Sequence, residues 1–153
     1  MLAMADTQQP VWVLNGPNLD RLGTREPDVY GTVDYPTLVE QVVEAASGLG
    51  FTAEVRQTND EAELIGWLHE AADARIPVVL NPAAFTHYSY AIRDACAMLT
   101  APLIEVHLSN PLAREEFRHT SVVGGVASGS IAGFGIESYR LALRALRGML
   151  SSP

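Results

Sequence analysis

The sequence contains no lysine, since all ten of its basic residues are arginine. Schiff-base catalysis needs a primary amine as the nucleophile, and a Walker-type phosphate-binding loop needs its lysine. Neither kind of site can operate with the side chains of this chain. Gly16 and Gly23, although they lie in one loop, therefore do not form a Walker motif.

Cysteine and long apolar runs are also scarce. The single Cys96 cannot form a disulfide within the chain, and no signal-like segment opens the sequence. Secretion is therefore not expected, and the cytoplasm is the expected compartment. No apolar run approaches the ~20 residues that a membrane span needs.

Positive charge is in the minority. The sequence has 18 acidic and 10 basic residues, which gives a net charge of −8. Nucleic acids and anionic membranes both favour a basic face, so neither is an expected partner. An anionic ligand would have to be held by local arginines or backbone N–H groups. The length of 153 residues suits one domain, expected over residues 11–150 behind a flexible tail of residues 1–10.

Short β-branched apolar runs alternate with longer amphipathic ones, a pattern typical of βαβ units around a mostly parallel sheet. The predicted strands are Val11–Leu14, Phe51–Gln57, Ile76–Asn81, Pro102–His107 and Gly125–Gly133. The predicted helices are Tyr35–Ser47, Glu61–Ala74, Ser89–Leu99 and Ile136–Leu150, with Asp34 and either Asn59 or Asp60 as N-caps. We therefore predict a flavodoxin-like α/β fold, a doubly wound five-stranded parallel sheet in three α/β/α layers.

Polar residues follow the first, third and fourth predicted strands. The loop after the first strand runs to Gly31, which is long for a connection. The third strand leads into NPAAFTHYS, and the fourth ends in EVHLSN. In the strand order 2-1-3-4-5, the carboxyl ends of these three strands meet at one rim of the sheet, where open α/β sheets bind ligands. The sequence therefore predicts one pocket at this rim.

Most polar residues of the predicted rim also have a purely structural interpretation. Tyr30 could anchor its loop, and Asn18 could serve only the tight NGPN turn. His107 could be a buried core histidine, although Glu105, two positions earlier on the same strand face, could orient its imidazole. The residues alone leave these alternatives open.

Arg25 lies five residues before Tyr30 and could favour the phenolate form of that tyrosine. A phenol with a pKa of about 10 is mostly protonated at neutral pH and is then no base. A guanidinium ~4 Å away, at an effective dielectric of about 20, interacts by roughly 4 kcal/mol, equivalent to about three pKa units before desolvation opposes it. The common alternative for such an arginine is a solvated surface position.

Other functions fit the sequence less well. A flavin- or nucleotide-binding module on the same fold is the main alternative, but Pro17 and Leu19 stand where GxGxxG or a hydroxyl-rich phosphate turn would be needed. A receiver domain needs an acidic cluster at the end of the first strand and a lysine, but that strand is followed by Asn15 and the chain has no lysine. Ser128 and Ser130 lack the GxSxG of a serine hydrolase. No HExxH or paired-cysteine spacing predicts a metal site.

The segments NGPNL, LGTREPDVYG, NPAAFTHYS, RDA, IEVHLSN and AREEFRH resemble type II 3-dehydroquinate dehydratase. The resemblance extends from Val11 to about Leu150, and the motifs occur in the order and spacing of the family. It implies that 3-dehydroquinate loses water to give 3-dehydroshikimate in the shikimate pathway of aromatic amino acid biosynthesis. It further implies that no metal or organic cofactor takes part, and that the chain forms a homododecamer, a tetramer of trimers.

The resemblance also implies the catalytic roles. Tyr30 aligns with the tyrosinate that abstracts the proton, and Arg25 belongs with it to a lid. Asn18 positions a water against the enolate oxygen. His107 is then the general acid, and Glu105 orients it.

The same resemblance implies a set of substrate-binding residues. These are Asn81, His87, Ser109 and Arg118 around the ring, the backbone N–H groups of Leu108 and Ser109 around the carboxylate, and Asp94 in a neighbouring subunit's site. In the segment AREEFRH, Arg114 is predicted to be a surface charge. His69 and His119 are predicted to be non-catalytic.

Overall fold

Five parallel strands form the centre of the fold. The computed structural model describes residues 8–24, 26–30 and 32–151, with the backbone alone for Tyr30. The strands are β1 (Gln9–Asn15), β2 (Phe51–Gln57), β3 (Val78–Asn81), β4 (Leu103–His107) and β5 (Gly129–Ala132). They pair in the order β2-β1-β3-β4-β5, which confirms the predicted sheet.

Five α-helices connect or flank the strands. They are α1 (Pro27–Tyr30), α2 (Tyr35–Gly48), α3 (Glu61–Ala74), α4 (Tyr90–Ala97) and α5 (Glu137–Ser151). Asp34 caps α2 by accepting a 3.0 Å hydrogen bond from the Thr37 N–H. Asp60 caps α3 by accepting one of 2.9 Å from the Ala62 N–H. Caps of this kind contribute about 0.5–2 kcal/mol each, so these short acidic side chains define where the helices begin.

The sheet buries both of its faces. On one face α2 and α5 cover a core that includes Val13, Val79 and Val106; on the other, α3 and α4 cover Leu14 and Leu80. Successive strand residues point to opposite faces, so one apolar strand feeds both cores. The result is the predicted α/β/α layering. In the part of the chain that the structure describes, no helix is long and apolar enough to cross a membrane.

The strand and helix boundaries differ from the prediction in several places, including α4, which spans Tyr90–Ala97 instead of Ser89–Leu99. Ile76 was predicted to open β3, but its N–H donates to the Ala71 carbonyl at the end of α3. Residues 124–126, predicted to lie mostly in β5, form a 3-10 helix instead. Helix α1 was not predicted. Part of the predicted tail, residues 1–7, lies outside the described residues, and β1 already begins at Gln9.

Candidate active site

A pocket with about 510 Å³ of open space lies at the carboxyl ends of β1, β3 and β4. It falls at the predicted rim, where β1 and β3 diverge toward opposite ends of the strand order. Three segments line it: Pro17, Asn18 and Leu19; Asn81, Ala83, Ala84 and His87; and His107, Leu108, Ser109, Pro111, Arg114 and Arg118. Seven residues of the predicted site are among them. The convergence of these separate segments confirms that the pocket lies where the fold class predicts.

The loop after β1 enters the pocket through a close contact with the loop after β3. The Gly16 N–H donates to the Asn81 carbonyl at 2.8 Å. A Cβ atom at Gly16 would lie 2.6 Å from the Pro82 carbonyl oxygen, so only glycine allows this approach. Asn18 has a positive φ of 71° and lines the pocket. The conformational and the functional interpretations of Asn18 are therefore compatible.

Glu105 and His107 form a hydrogen-bonded pair at the end of β4. The Glu105 carboxylate is 1% exposed and accepts from His107 Nε2 at 2.6 Å, from Ser121 Oγ at 2.9 Å and from Thr86 Oγ1. Burial raises the pKa of Glu105, but these hydrogen bonds and the attraction to His107 outweigh it and hold the pKa below its ordinary value. The carboxylate is then ionised at neutral pH and only accepts, so His107 Nε2 carries a hydrogen. Nδ1 is the ring nitrogen left for the pocket.

His87 presents a hydrogen-bond acceptor to the same pocket. Its Nδ1 donates to the Thr120 carbonyl at 2.9 Å, because a carbonyl can only accept. Burial, assisted by His107 and Arg118, lowers the pKa of His87 in spite of that hydrogen bond. The ring is therefore neutral at pH 7, with its Nε2 lone pair available.

Arg114 and Arg118 both line the pocket, and the prediction that Arg114 is a surface charge is wrong. The two side chains are 13% and 14% exposed. Arg114 has an extended backbone, φ −118° and ψ −161°, between two short 3-10 helices, and its Nη1 donates to Ser109 Oγ at 3.3 Å. Arg118 Nε donates to Glu115 at 2.8 Å. Two guanidinium groups thus face a small pocket in an acidic chain.

Asn81 joins the pocket to the core. It is 3% exposed, its Nδ2 donates to the Tyr139 hydroxyl at 2.9 Å, and its Oδ1 accepts from the Ala83 N–H at 3.0 Å. The Tyr139 hydroxyl in turn donates to Asn15 Oδ1 at 2.6 Å. A substrate-binding candidate at the pocket is therefore held by two fully buried side chains behind it.

Four candidates of the predicted site are not among the residues that line the pocket, and one of them, Glu105, lies directly behind His107. Asp94 lies on α4 with its side chain 69% exposed, paired with Arg93 at 3.0 Å, and does not line the pocket. Arg25 and the side chain of Tyr30 lie outside the described residues, so their roles remain predictions. Neither His69 nor His119 lines the pocket. Among the described residues, no group of three or more His, Cys, Asp or Glu side chains could hold a metal ion.

The sequence prediction missed the residues that support the site from behind. Thr86 directly precedes His87 in a motif already singled out, and that position was the available signal. Tyr139 lies in the buried stripe of α5 with Ala142, Leu143 and Leu146, where a phenol hydroxyl among mostly apolar side chains was the signal. Ser121 lies in an irregular segment, and the sequence offers no signal for its role.

Comparison with known proteins identifies a consistent set of relatives. The sequence matches the family model described as dehydroquinase class II over residues 9–147. It is 63% identical over 136 residues to the 3-dehydroquinate dehydratase of Salinispora tropica, covering 89% of this chain and 95% of that protein. It is 58% identical over 134 residues to the 3-dehydroquinate dehydratase of Mycobacteroides abscessus, covering 88% of this chain and 93% of that protein. The crystal structure of type II dehydroquinase from Propionibacterium acnes has a TM-score of 0.91 at 53% identity, covering 93% of this chain and 98% of that one.

Proposed function

Because the chain belongs to the dehydroquinase class II family, we propose that its pocket removes water from 3-dehydroquinate through an enolate to give 3-dehydroshikimate. The activity of a type II 3-dehydroquinate dehydratase, a carbon–oxygen hydro-lyase, follows from the family and its named relatives. The steps, the residue roles and the place in the shikimate pathway are our proposal. The observation that carries the mechanism is the Glu105–His107 pair, a buried carboxylate that orients an imidazole at the pocket.

The first step removes a proton from the carbon next to the ketone, and we assign it to Tyr30 as a tyrosinate. Arg25 favours the anionic phenolate. Helix α1, which Tyr30 ends, adjoins the pocket, since Val29 lines a shallow depression together with Leu108, Ser109 and Arg114. The electron pair of the broken C–H bond forms the enolate. A water held by Asn18 donates to the enolate oxygen.

The second step expels the hydroxyl group β to the carbonyl. The enolate re-forms the ketone, a carbon–carbon double bond forms, and the carbon–oxygen bond breaks. His107 Nδ1 donates a proton to the departing oxygen, which leaves as water. The Glu105 carboxylate, 2.6 Å from Nε2, compensates the positive charge of the imidazolium. Proton transfers with solvent then restore Tyr30 and His107.

The remaining pocket residues suit a small hydroxylated acid. The backbone N–H groups of Leu108 and Ser109 are assigned to the carboxylate, Arg118 and the Ser109 hydroxyl to the ring, and Arg114 adds a second guanidinium beside them. His87 offers an acceptor and Asn81 a donor to the ring oxygens. The paired arginines explain how a chain of net charge −8 could bind an anion.

The direct test is to add 3-dehydroquinate to the purified protein and follow the absorbance of the conjugated enone product. We expect turnover without added metal and in the presence of a chelator. Borohydride should not inactivate, because an imine to the substrate ketone needs a lysine that the chain lacks. His107→Asn, which keeps a polar side chain at the position but cannot act as a proton donor at neutral pH, serves as the matched control. Inactivation by borohydride in the presence of substrate would overturn the enolate mechanism.

For assembly, we propose a cytoplasmic homododecamer, a tetramer of trimers, in which Asp94 completes a neighbour's pocket. The support is that Asp94 lies outside its own pocket in a region with three exposed apolar side chains, Tyr88, Tyr90 and Met98. Two inactive variants, Tyr30→Phe and Asp94→Asn, should regain activity when their subunits are mixed and reassembled. Failure to recover activity, or a wild-type protein that sediments as a monomer at micromolar concentration, would contradict shared sites.

A further inference from the structure

We propose that the hydroxyl of Tyr139, which lies in the core outside the pocket, positions the Asn81 amide for substrate. The inference rests on the proposed function for the identity of the substrate, and on the geometry for everything else. Tyr139 is completely buried on α5, and its hydroxyl bridges Asn15 at the end of β1 and Asn81 at the end of β3. Asn81 is the member of this bridge that lines the pocket.

The donor and the acceptor of each hydrogen bond in the bridge can be assigned, starting from Asn15. Asn15 Nδ2 donates to the Arg56 carbonyl on the neighbouring strand β2 at 3.2 Å. That bond sets the amide orientation, with Oδ1 toward Tyr139 at 2.6 Å. An amide oxygen can only accept, so the phenol must direct its proton to Asn15.

This assignment then determines which hydrogen-bonding group the Asn81 amide has left for a ligand. Because the Tyr139 proton is directed to Asn15, the phenol oxygen accepts from Asn81 Nδ2 at 2.9 Å. Asn81 Oδ1 is occupied by the Ala83 N–H at 3.0 Å. One hydrogen of Nδ2 remains, so the amide keeps one N–H donor for the pocket. The bridge therefore favours a ligand oxygen that accepts a hydrogen bond at this position.

A buried phenol needs hydrogen-bond partners in any protein, so the alternative is a purely structural role. Burial raises the pKa of Tyr139, which keeps the bridging group neutral and protonated. The chain offers a matched control in Tyr35, a partly buried tyrosine whose hydroxyl interacts with the same Asn15 side chain and which does not line the pocket. Removing the Tyr35 hydroxyl disturbs Asn15 without removing a partner of Asn81.

The kinetic experiment compares Tyr139→Phe with Tyr35→Phe. Loss of one positioning hydrogen bond, worth about 1 kcal/mol, should raise KM roughly five- to tenfold in Tyr139→Phe, with kcat within about twofold of wild type. Tyr35→Phe should leave KM unchanged. In an Asn81→Ala background, Tyr139→Phe should have no further effect on KM. An unchanged KM in folded Tyr139→Phe, an equal rise in Tyr35→Phe, or full additivity with Asn81→Ala would each overturn the proposal.

A second readout does not depend on catalysis. In the substrate-free protein, the NMR signal of the Asn81 side-chain amide should shift in Tyr139→Phe and stay in place in Tyr35→Phe. If Tyr139→Phe does not fold, Asn15→Ala tests the same bridge, since it removes the acceptor of the Tyr139 proton and should raise KM to a similar extent. Wild-type protein without dehydratase activity would overturn the proposed function alone. An Asn81 signal that is insensitive to the loss of the bridge would overturn this inference alone.

Discussion

The end of β4 lines the pocket and the short helix α1 adjoins it, and the two elements are held in different ways. The proposed acid side, which consists of Glu105 and His107 with Thr86 and Ser121 behind them, is tied together by hydrogen bonds to one buried carboxylate. The proposed base side is α1, whose described side chains, Pro27, Asp28 and Val29, are all exposed. The proposed acid pair is therefore also part of the core, whereas the described side chains of α1 are not.

Because of this difference, we expect substitutions on the two sides to affect activity and stability differently. Changes on the base side should alter turnover and leave the free energy of unfolding unchanged. Changes on the acid side should alter both, because a buried carboxylate that loses its donors is costly. The following predictions test this contrast.

The largest effect is expected for Tyr30→Phe. Removal of a general base typically lowers kcat by ~10²–10⁴-fold. The melting temperature should not change, because the described side chains of α1, Pro27, Asp28 and Val29, are exposed. Steady-state kinetics and thermal unfolding of one preparation would check both. A variant with near-wild-type kcat would refute Tyr30 as the base.

Glu105→Gln should reduce activity and stability together. The neutral amide cannot compensate the His107 imidazolium, so kcat should fall by about 10²-fold. The amide also has only one acceptor oxygen, whereas the carboxylate has two for the hydroxyl donors of Thr86 and Ser121. This loss should lower the free energy of unfolding by about 1–3 kcal/mol. Glu137→Gln, at an exposed ion pair on α5, is the control and should change neither. Full stability of Glu105→Gln in urea unfolding would contradict the coupling on the acid side.

Ser121→Ala tests the same coupling with a smaller change. One of the hydrogen-bond donors to Glu105 disappears while Thr86 and His107 remain. We expect a loss of about 1 kcal/mol in unfolding free energy and a decrease of a few-fold in kcat. Ser130→Ala, at an exposed position of β5, should match wild type. If both serine variants behave alike, the hydroxyl of Ser121 does not support the pair.

The smallest effect is a pH dependence of stability. The native pKa of His87 lies below its ordinary value of 6.5, so the unfolded chain takes up its proton first as the pH falls below 6.5. Stability should therefore decline from that point down to the native pKa. Glu105 acts at lower pH: its native pKa is depressed below 4.5, and its contribution is lost as the pH falls through the native value. The check is to measure the urea midpoint as a function of pH. The loss of stability that begins below pH 6.5 should be absent in His87→Asn, and the loss at lower pH should be absent in Glu105→Gln.

Much of the fold and of the pocket could be predicted because the signals are local. The β-branched runs of Val78–Asn81 and Leu103–His107 define strands, and the rim of a parallel sheet then brings His87 and His107 together. Arg114 was misjudged because its orientation depends on an extended residue between two 3-10 helices, where no periodicity applies. The start of β5 was misjudged because the glycines and small side chains around residue 126 carry no apolar alternation.

The supporting residues could not be predicted for a different reason. Whether the Ser121 hydroxyl meets Glu105 depends on how an irregular segment approaches β4, which is a property of the tertiary structure. Tyr139 has the spacing of an apolar helix residue, and its sequence gives no indication that its hydroxyl reaches two strand ends. Predictions from sequence therefore find the groups that face the ligand more readily than those that hold them.

The hydrogen bond between Tyr139 and Asn15 joins residues 124 positions apart. During synthesis on the ribosome, the Asn15 side chain emerges early, but its partner is translated only when the last helix begins. Contacts between such distant residues form late and slow the folding of a chain, since loop closure must precede them. Much of the sheet can thus form during synthesis before Asn15 and Asn81 receive the partner that they share on the C-terminal helix.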